Sequence, residues 1–115
     1  MIIGDDGGAQ VSFDAGENWS TMNNQPTSQF YRVTTDNHFP YRILAAQQDN
    51  STVRISHRTA GRFITTSDWT STAGGESAHI AVDPLNDDIV YGGSYGGLLT
   101  RMNHKTGETR AVNVW

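Results

Sequence analysis

The sequence predicts an all-β fold of short antiparallel strands, arranged as four-stranded meanders that recur along the chain. Three observations carry this. Among 115 residues there are 12 Gly, many Thr, Ser, Asn and Asp, and only 17% charged side chains, a composition suited to strands joined by tight turns. No window of about 11 residues keeps the 3.6-residue apolar period of an amphipathic helix. Finally, the chain repeats itself. Val33-Thr34-Thr35-Asp36 matches Ile80-Ala81-Val82-Asp83 at an offset of 47, and the same offset carries Ile43 onto Val90 and Val53-Arg54-Ile55 onto Thr100-Arg101-Met102. Gly16, Gly61 and Gly107 mark turns at nearly the same interval, and an offset of 44 places Val11-Ser12 on Ile55-Ser56 and Asp5 on Asp49. A repeat of about 45 residues holding four strand-like runs is the pattern of a β-propeller blade.

The elements follow in order. Residues 1–24 are expected to hold the end of a first blade, with strands near 1–4, 8–13 and 18–22. Residues 25–71 form a second blade, with strands near 30–35, 41–47, 52–57 and 62–66. Residues 72–115 form a third, with strands near 78–82, 88–93, 98–103 and 109–114. His38-Phe39-Pro40, Thr72 to Glu76 and Asn86-Asp87-Asp88 read as loops. About two and a half blades form an incomplete propeller, since roughly four to eight are needed to close one, so the remaining blades of a longer parent protein are the expected partners.

Between the strands expected near 8–13 and 18–22 of the first blade lies Ser12-x-Asp14-x-Gly16-x-x-Trp19. Asp14 can accept hydrogen bonds from the N–H groups of its own turn, Gly16 can take positive φ, and Trp19 can fold its ring back over the turn. This motif resembles the Asp-box, or BNR repeat, of propellers such as sialidases and sortilin-type receptors. Asn18 stands where that box usually has Thr, and the later units keep only the glycine turns at Gly61 and Gly107. Further phrases are similar to the interior of large exported proteins with BNR-like and sortilin-like repeats: Gly4 to Gly8, Gln25 to Val33, Ala46 to Ser51, Ile64 to Trp69, and Asp83-Pro84 with Ile89 to Arg101. Many such proteins carry the label glycosyl hydrolase through their likeness to glycoside hydrolase family 74. The resemblance implies a structural role for Ser12, Asp14, Gly16 and Trp19, and a ligand face at the opposite rim.

On the strand map, that rim collects Asp5-Asp6, then Gln47, Gln48, Asp49 and Asn50, then Ser94-Tyr95, with Asp68, Trp69, Glu76, Ser77 and His79 added from the connecting loops. Gln48, Asp49, Asn50, Trp69 and Tyr95 are the expected ligand-binding residues, offering hydrogen bonds and aromatic platforms of the kind that bind sugars. Turn formation alone also calls for Asp, Asn and Gly at these places. Asp5 or Asp6 with Asp49 is the best candidate for a glycosidase carboxylate pair, a weaker reading than recognition of a polysaccharide or protein ligand.

Other chemistries are excluded or unsupported. The net charge of −4 and eight scattered basic residues give no nucleic-acid surface. No apolar run approaches the roughly 20 residues of a membrane span. The four His lie on separate turns without ligand spacing, so no metal is expected, and the Gly-Gly pairs lack the Lys and helix of a phosphate loop, so no cofactor is expected either. With no Cys there are no disulfides to report a compartment. Met1-Ile2-Ile3 followed at once by Gly4-Asp5-Asp6 does not read as a signal peptide. The expected location, extracellular or periplasmic, therefore belongs to the parent protein.

Overall fold

A computed structural model describes residues 1–23 and 27–114. The chain is all-β and antiparallel throughout. Strands β1 (Ile2–Asp5) and β2 (Gly8–Val11) form a hairpin. Strands β3 (Phe30–Thr35), β4 (Arg42–Gln47), β5 (Ser51–Ser56) and β6 (Trp69–Ser71) form a four-stranded meander in sequence order. Strands β7 (Ile80–Asp83), β8 (Asn86–Gly93), β9 (Leu99–Asn103) and β10 (Glu108–Ala111) form a second one. The expected boundary between residues 24 and 25 lies outside the described residues.

The internal repeat extends to the hydrogen-bond register. Adding 47 to both members of the pair Val33–Ala45 gives Ile80–Gly92, and Ile43–Ile55 becomes Val90–Met102; all four pairings are observed. A one-residue slip would reverse every side chain's face, so a shared register means the two meanders present equivalent faces. His57 N–H donates to Tyr41 O (3.1 Å), and its repeat equivalent, His104 N–H, donates to Asp88 O (2.8 Å).

Three segments differ from expectation. Residues 18–22 form no strand; Ser20 alone bridges to β2, its N–H donating to Val11 O (3.0 Å) while its Oγ accepts from Val11 N–H (3.0 Å). The fourth strand of the first meander is not 62–66 but β6. A single 3-10 turn at Thr66–Asp68 intervenes, closed by Asp68, whose carboxylate accepts from Thr65 N–H (2.6 Å). The Asn86–Asp88 stretch, expected as a loop, opens β8, with a register irregularity at Val82/Asp83.

The core lies between the two meanders. One face of the first, carrying Leu44 and Ala46, packs on the face of the second that carries Ile80 and Val90, with Val82 and Met102 at its margin. Burying Leu44 and Val90 fully contributes about 1.5–3 kcal/mol each. The connector from β6 to β7 threads through this interface. Gly74 N–H donates to Thr100 Oγ1 (2.7 Å), Gly75 N–H to Gly93 O (2.8 Å), and Thr52 Oγ1 to Thr72 O (2.7 Å). Gly92 makes this approach feasible, because a Cβ there would overlap the backbone of Ala73 and lie 2.6 Å from Gly74 N. The whole is a row of sheets measuring 56 × 40 × 20 Å. Its radius of gyration of 17.4 Å exceeds the ~13 Å of a compact chain of this length. Among the described residues the strands close no ring.

Candidate functional site

The rim formed by the β4–β5 turn brings four chain segments together. Gln48 is the hub. Its Nε2 donates to Asp49 Oδ1 (3.0 Å) and to Glu76 Oε2 (3.1 Å), while its Oε1 accepts from the Tyr31 hydroxyl. Glu76 Oε2 also accepts from Asp49 N–H (2.8 Å), so one carboxylate from the β6–β7 connector holds the turn in place. Tyr95, on the β8–β9 connection, lies beside Tyr31. The Tyr31 phenol is held above its usual pKa first by its hydrogen bond with Tyr95, then by desolvation and by the nearby charges of Glu76 and Asp49. The offset of 47 places Gln48 on Tyr95, so the two meanders contribute the same rim position.

The backbone here is unusual. Among the described residues, four non-glycine residues have positive φ, and three lie on this rim: Asp49 (59°), Ser51 (66°) and Ser77 (68°). Such conformations cost energy and persist where surrounding structure imposes them, as Glu76 does on Asp49. The first two let the turn reverse within three residues while Gln47 Nε2 donates to Asn50 O (3.0 Å).

Beside this cluster a cleft of about 620 Å³ separates the hairpin from the first meander. Asp5 and Asp6 line one wall, Gln48, Asp49 and Asn50 the other, and residues 27–29 also contribute. Asp5 is partly engaged by its own turn, accepting from Gly7 N–H (2.8 Å). Among the described residues, no Lys or Arg lines the cleft. Asp5, Asp6 and Asp49 are all exposed, without the apolar enclosure typical of a general acid.

Of the residues expected at this face, Gln48, Asp49, Asn50, Asp5, Asp6 and Tyr95 are therefore brought to one rim, with Tyr95 53% exposed as an aromatic surface. Trp69 is not. It opens β6 opposite Ile55, four residues beyond Ser51 and about 13 Å along the strand from the turn. Asp68 serves the 3-10 turn instead. Tyr31 was not anticipated. It sits at a β-bulge between Phe30 and Arg32, which disturbs the strict alternation that would assign its face.

The Asp14 turn lies at the other end of the hairpin and is fully engaged in itself. Ser12 Oγ donates to Asp14 Oδ1 (2.8 Å) and accepts from Gly16 N–H (2.8 Å). Asn18 N–H donates to Asp14 Oδ1 (2.9 Å), its side-chain amide to Oδ2 (2.6 Å), and Trp19 Nε1 to Gly16 O (3.1 Å). These bonds, from the Asn18 N–H first, then the Asn18 side chain and Ser12, lower the Asp14 pKa to about 2. Asn18 thus supplies a second donor to the same carboxylate.

A second polar cluster is buried between the meanders, away from the rim. Asp36 accepts from Arg42 N–H (2.7 Å) and pairs with the Arg42 guanidinium, which reaches Asp87 O (3.2 Å) on the next sheet. Burial opposes ionisation of Asp36, but the Arg42 and His38 contacts outweigh it and hold its pKa below the usual value. His104 Nε2 meets Thr72 Oγ1 (2.9 Å); burial, then the charges of Arg54 and Arg42, push its pKa down to about 4. These groups tie sheets together, and the cleft that His38, Arg42 and Asp87 line measures about 270 Å³.

Among the described residues, no three His, Asp or Glu are grouped to hold a metal ion, and no helix is long and apolar enough to cross a membrane. Comparison with protein-family models, curated protein sequences and solved structures returns no match to this chain.

Proposed function

We propose that this chain is a recognition module built from propeller blades of the Asp-box, BNR-like and sortilin-like kind, and that it binds a neutral glycan at the rim opposite the Asp14 turn. The carrying observation is the convergence of Tyr31, Gln48, Asp49, Glu76 and Tyr95 beside a cleft of about 620 Å³, a volume within the range of small-ligand sites. Tyrosine faces stack on sugar rings, and braced amides and carboxylates hydrogen-bond their hydroxyls. Carboxylates without a lining Lys or Arg disfavour an anionic sugar. The Asp14 turn supports the blade assignment, because each residue of its motif makes the bond its type suggests. Exposed apolar side chains on the outer sheets, with Ile2 at 77% and Leu99 at 37%, support further blades as partners in a longer parent.

Titration calorimetry with neutral β-glucan oligosaccharides, xyloglucan fragments among them, tests the reading. Binding should weaken about two- to tenfold in Tyr95→Ala, since stacking on one aromatic ring is worth about 0.5–1.5 kcal/mol. Equal affinity of parent and variant, or no binding across a glycan array, would overturn it.

A hydrolytic reading, like that of glycoside hydrolase family 74, has one observation in its favour: Asp5 and Asp6 face Asp49 across a single cleft. Reducing-sugar release from xyloglucan, lost in Asp49→Asn, would support it. Its absence would leave recognition alone.

A further inference from the structure

The two meanders share their strand register but not their loops. Four residues, 104–107, join β9 to β10, whereas the equivalent connection from β5 to β6 takes twelve, 57–68. Insertions into one copy of a repeat form loops on a single face, and connections this long are commonly functional. Strands β4 and β5 run between this loop and the Gln47–Ser51 rim, so it stands at the opposite end of the meander, about 20 Å away. The hairpin flanks the first meander on one side and the second meander on the other, so the loop belongs to no outermost face.

The loop curls around a cleft of about 440 Å³. Aromatic contacts fix its base. The Tyr41 and His57 rings stack at 3.8 Å, His57 Nδ1 meets Tyr41 O (3.0 Å), and the Arg58 guanidinium lies 5.2 Å from the centre of the Phe39 ring. Thr59 Oγ1 donates to Phe63 O (3.2 Å), which closes the curl. What the loop then presents is apolar and cationic. Phe63 is 78% exposed and Ile64 47%. Arg58 and Arg62 line the cleft with no Asp or Glu beside them, and among the described residues neither forms an ion pair. The chain as a whole carries a net charge of −4, so this end is cationic against the overall balance.

We propose that this loop is a docking site for an acidic peptide segment that carries an apolar side chain. Guanidinium groups take carboxylates in paired hydrogen bonds, and Arg beside aromatic rings is the composition of interface anchors. Phe63 and Ile64 supply the seat for the apolar side chain. A neutral glycan fits less well. Thr59 Oγ1 and His57 Nδ1 are already engaged by backbone carbonyls, and no Asn, Gln, Asp or Glu lines the cleft to meet sugar hydroxyls. The site is separate from the rim and does not depend on the glycan reading.

Fluorescence anisotropy with labelled peptides tests it. A peptide of repeating Glu-Glu-Leu should bind more tightly than its Gln-Gln-Leu and Glu-Glu-Ser counterparts, and added salt should weaken it. Arg62→Glu and Phe63→Ser should each raise its dissociation constant about fivefold or more. Both side chains are exposed, so the melting temperature of each variant should match the parent. No binding of the Glu-Glu-Leu peptide, equal binding of either counterpart, or unchanged affinity in both variants would overturn the proposal. Tighter binding of dextran sulfate than of the peptide would overturn it too, assigning the loop to an anionic polysaccharide. Calorimetric binding of β-glucan oligosaccharides should be the same in both variants and the parent, which keeps failure of this site distinct from failure of the proposed function.

Discussion

The two junctions in this row of sheets are built from related repeats but close to different degrees. Between the meanders, Leu44, Ala46, Ile80 and Val90 are buried and the connector is drawn in against β8. Between the hairpin and the first meander, a cleft of about 620 Å³ remains, and Ile3 and Val33 stay 45% and 64% exposed. One residue captures the contrast. Gly92, where the connector presses on the strand, has Ala45 as its repeat equivalent. Ala45 carries a methyl group and is itself buried at 3% exposure, while the cleft is walled by Asp5 to Gly8, residues 27–29 and Gln48 to Asn50. The tight junction holds the fold, and the loose one carries the rim chemistry.

The largest effect should come from opening the tight junction. Leu44→Ala removes a fully buried side chain and should cost about 2–5 kcal/mol, measured by urea denaturation. Gly92→Val should be at least as damaging, because the added atoms meet backbone and not a flexible side chain. Its counterpart Ala45→Gly, at the loose junction, should cost about 1 kcal/mol or less. Equal losses at the two positions would abolish the distinction between the junctions.

A pH effect should follow, again at the tight junction. His104 has a folded pKa near 4 against 6.5 unfolded, so above pH 6.5 it is neutral in both states and its contribution is complete. As pH falls from about 6.5 toward about 4, the unfolded chain binds a proton that the folded one refuses, and stability drops. Below that it falls no further on this account. Arg54 and Arg42 oppose the charge and Asp88 favours it, so burial and the two arginines decide the direction. The melting temperature followed from pH 7 to 4 should decline, and His104→Asn, which retains a partner for Thr72, should flatten the decline. An unchanged slope would place the titration elsewhere.

Much of this arrangement was legible in the sequence, for a physical reason. Register is a period-two property, and the match of Val33–Asp36 with Ile80–Asp83 carries faces as well as strands, so both meanders pair in equivalent register. The failures arise where local pattern and tertiary pairing diverge. Phe63 and Ile64 look like strand residues, yet the chain turns at Thr66–Asp68 and pairs only from Trp69 onward, which removes Trp69 from the rim. Tyr31 joins the rim through a bulge that no alternation pattern reports. The Asp14 turn was readable because all its bonds are local, within four residues.

A smaller effect tests that local turn. Asn18→Ala deletes the amide that donates to Asp14 Oδ2 but leaves the backbone bond to Oδ1, and should lower stability only slightly in chemical denaturation. Asn18→Thr, whose hydroxyl can donate to the same carboxylate, should recover part of the loss. Neither should alter glycan affinity, since the turn lies at the far end of the hairpin from Asp5 and Asp6.

The smallest change in stability should separate strain from function at the rim. Asp49 holds φ at 59°, a conformation that costs most residues about 1 kcal/mol or more and glycine almost nothing. Its N–H, not its carboxylate, is the group that Glu76 grips, and glycine keeps that N–H. Asp49→Gly should therefore leave stability unchanged or raise it by up to about 1 kcal/mol, because relief of strain offsets the greater freedom of the unfolded chain. Glycan affinity should fall, since the carboxylate that borders the cleft beside Gln48 is gone. Asp49→Ala keeps the loss of charge without the relief of strain and should be the less stable of the two. A pair of variants with equal stability would mean the turn imposes no strain there. A glycine variant that binds as tightly as the parent would assign Asp49 to the turn alone and leave Tyr31, Gln48 and Tyr95 to carry recognition.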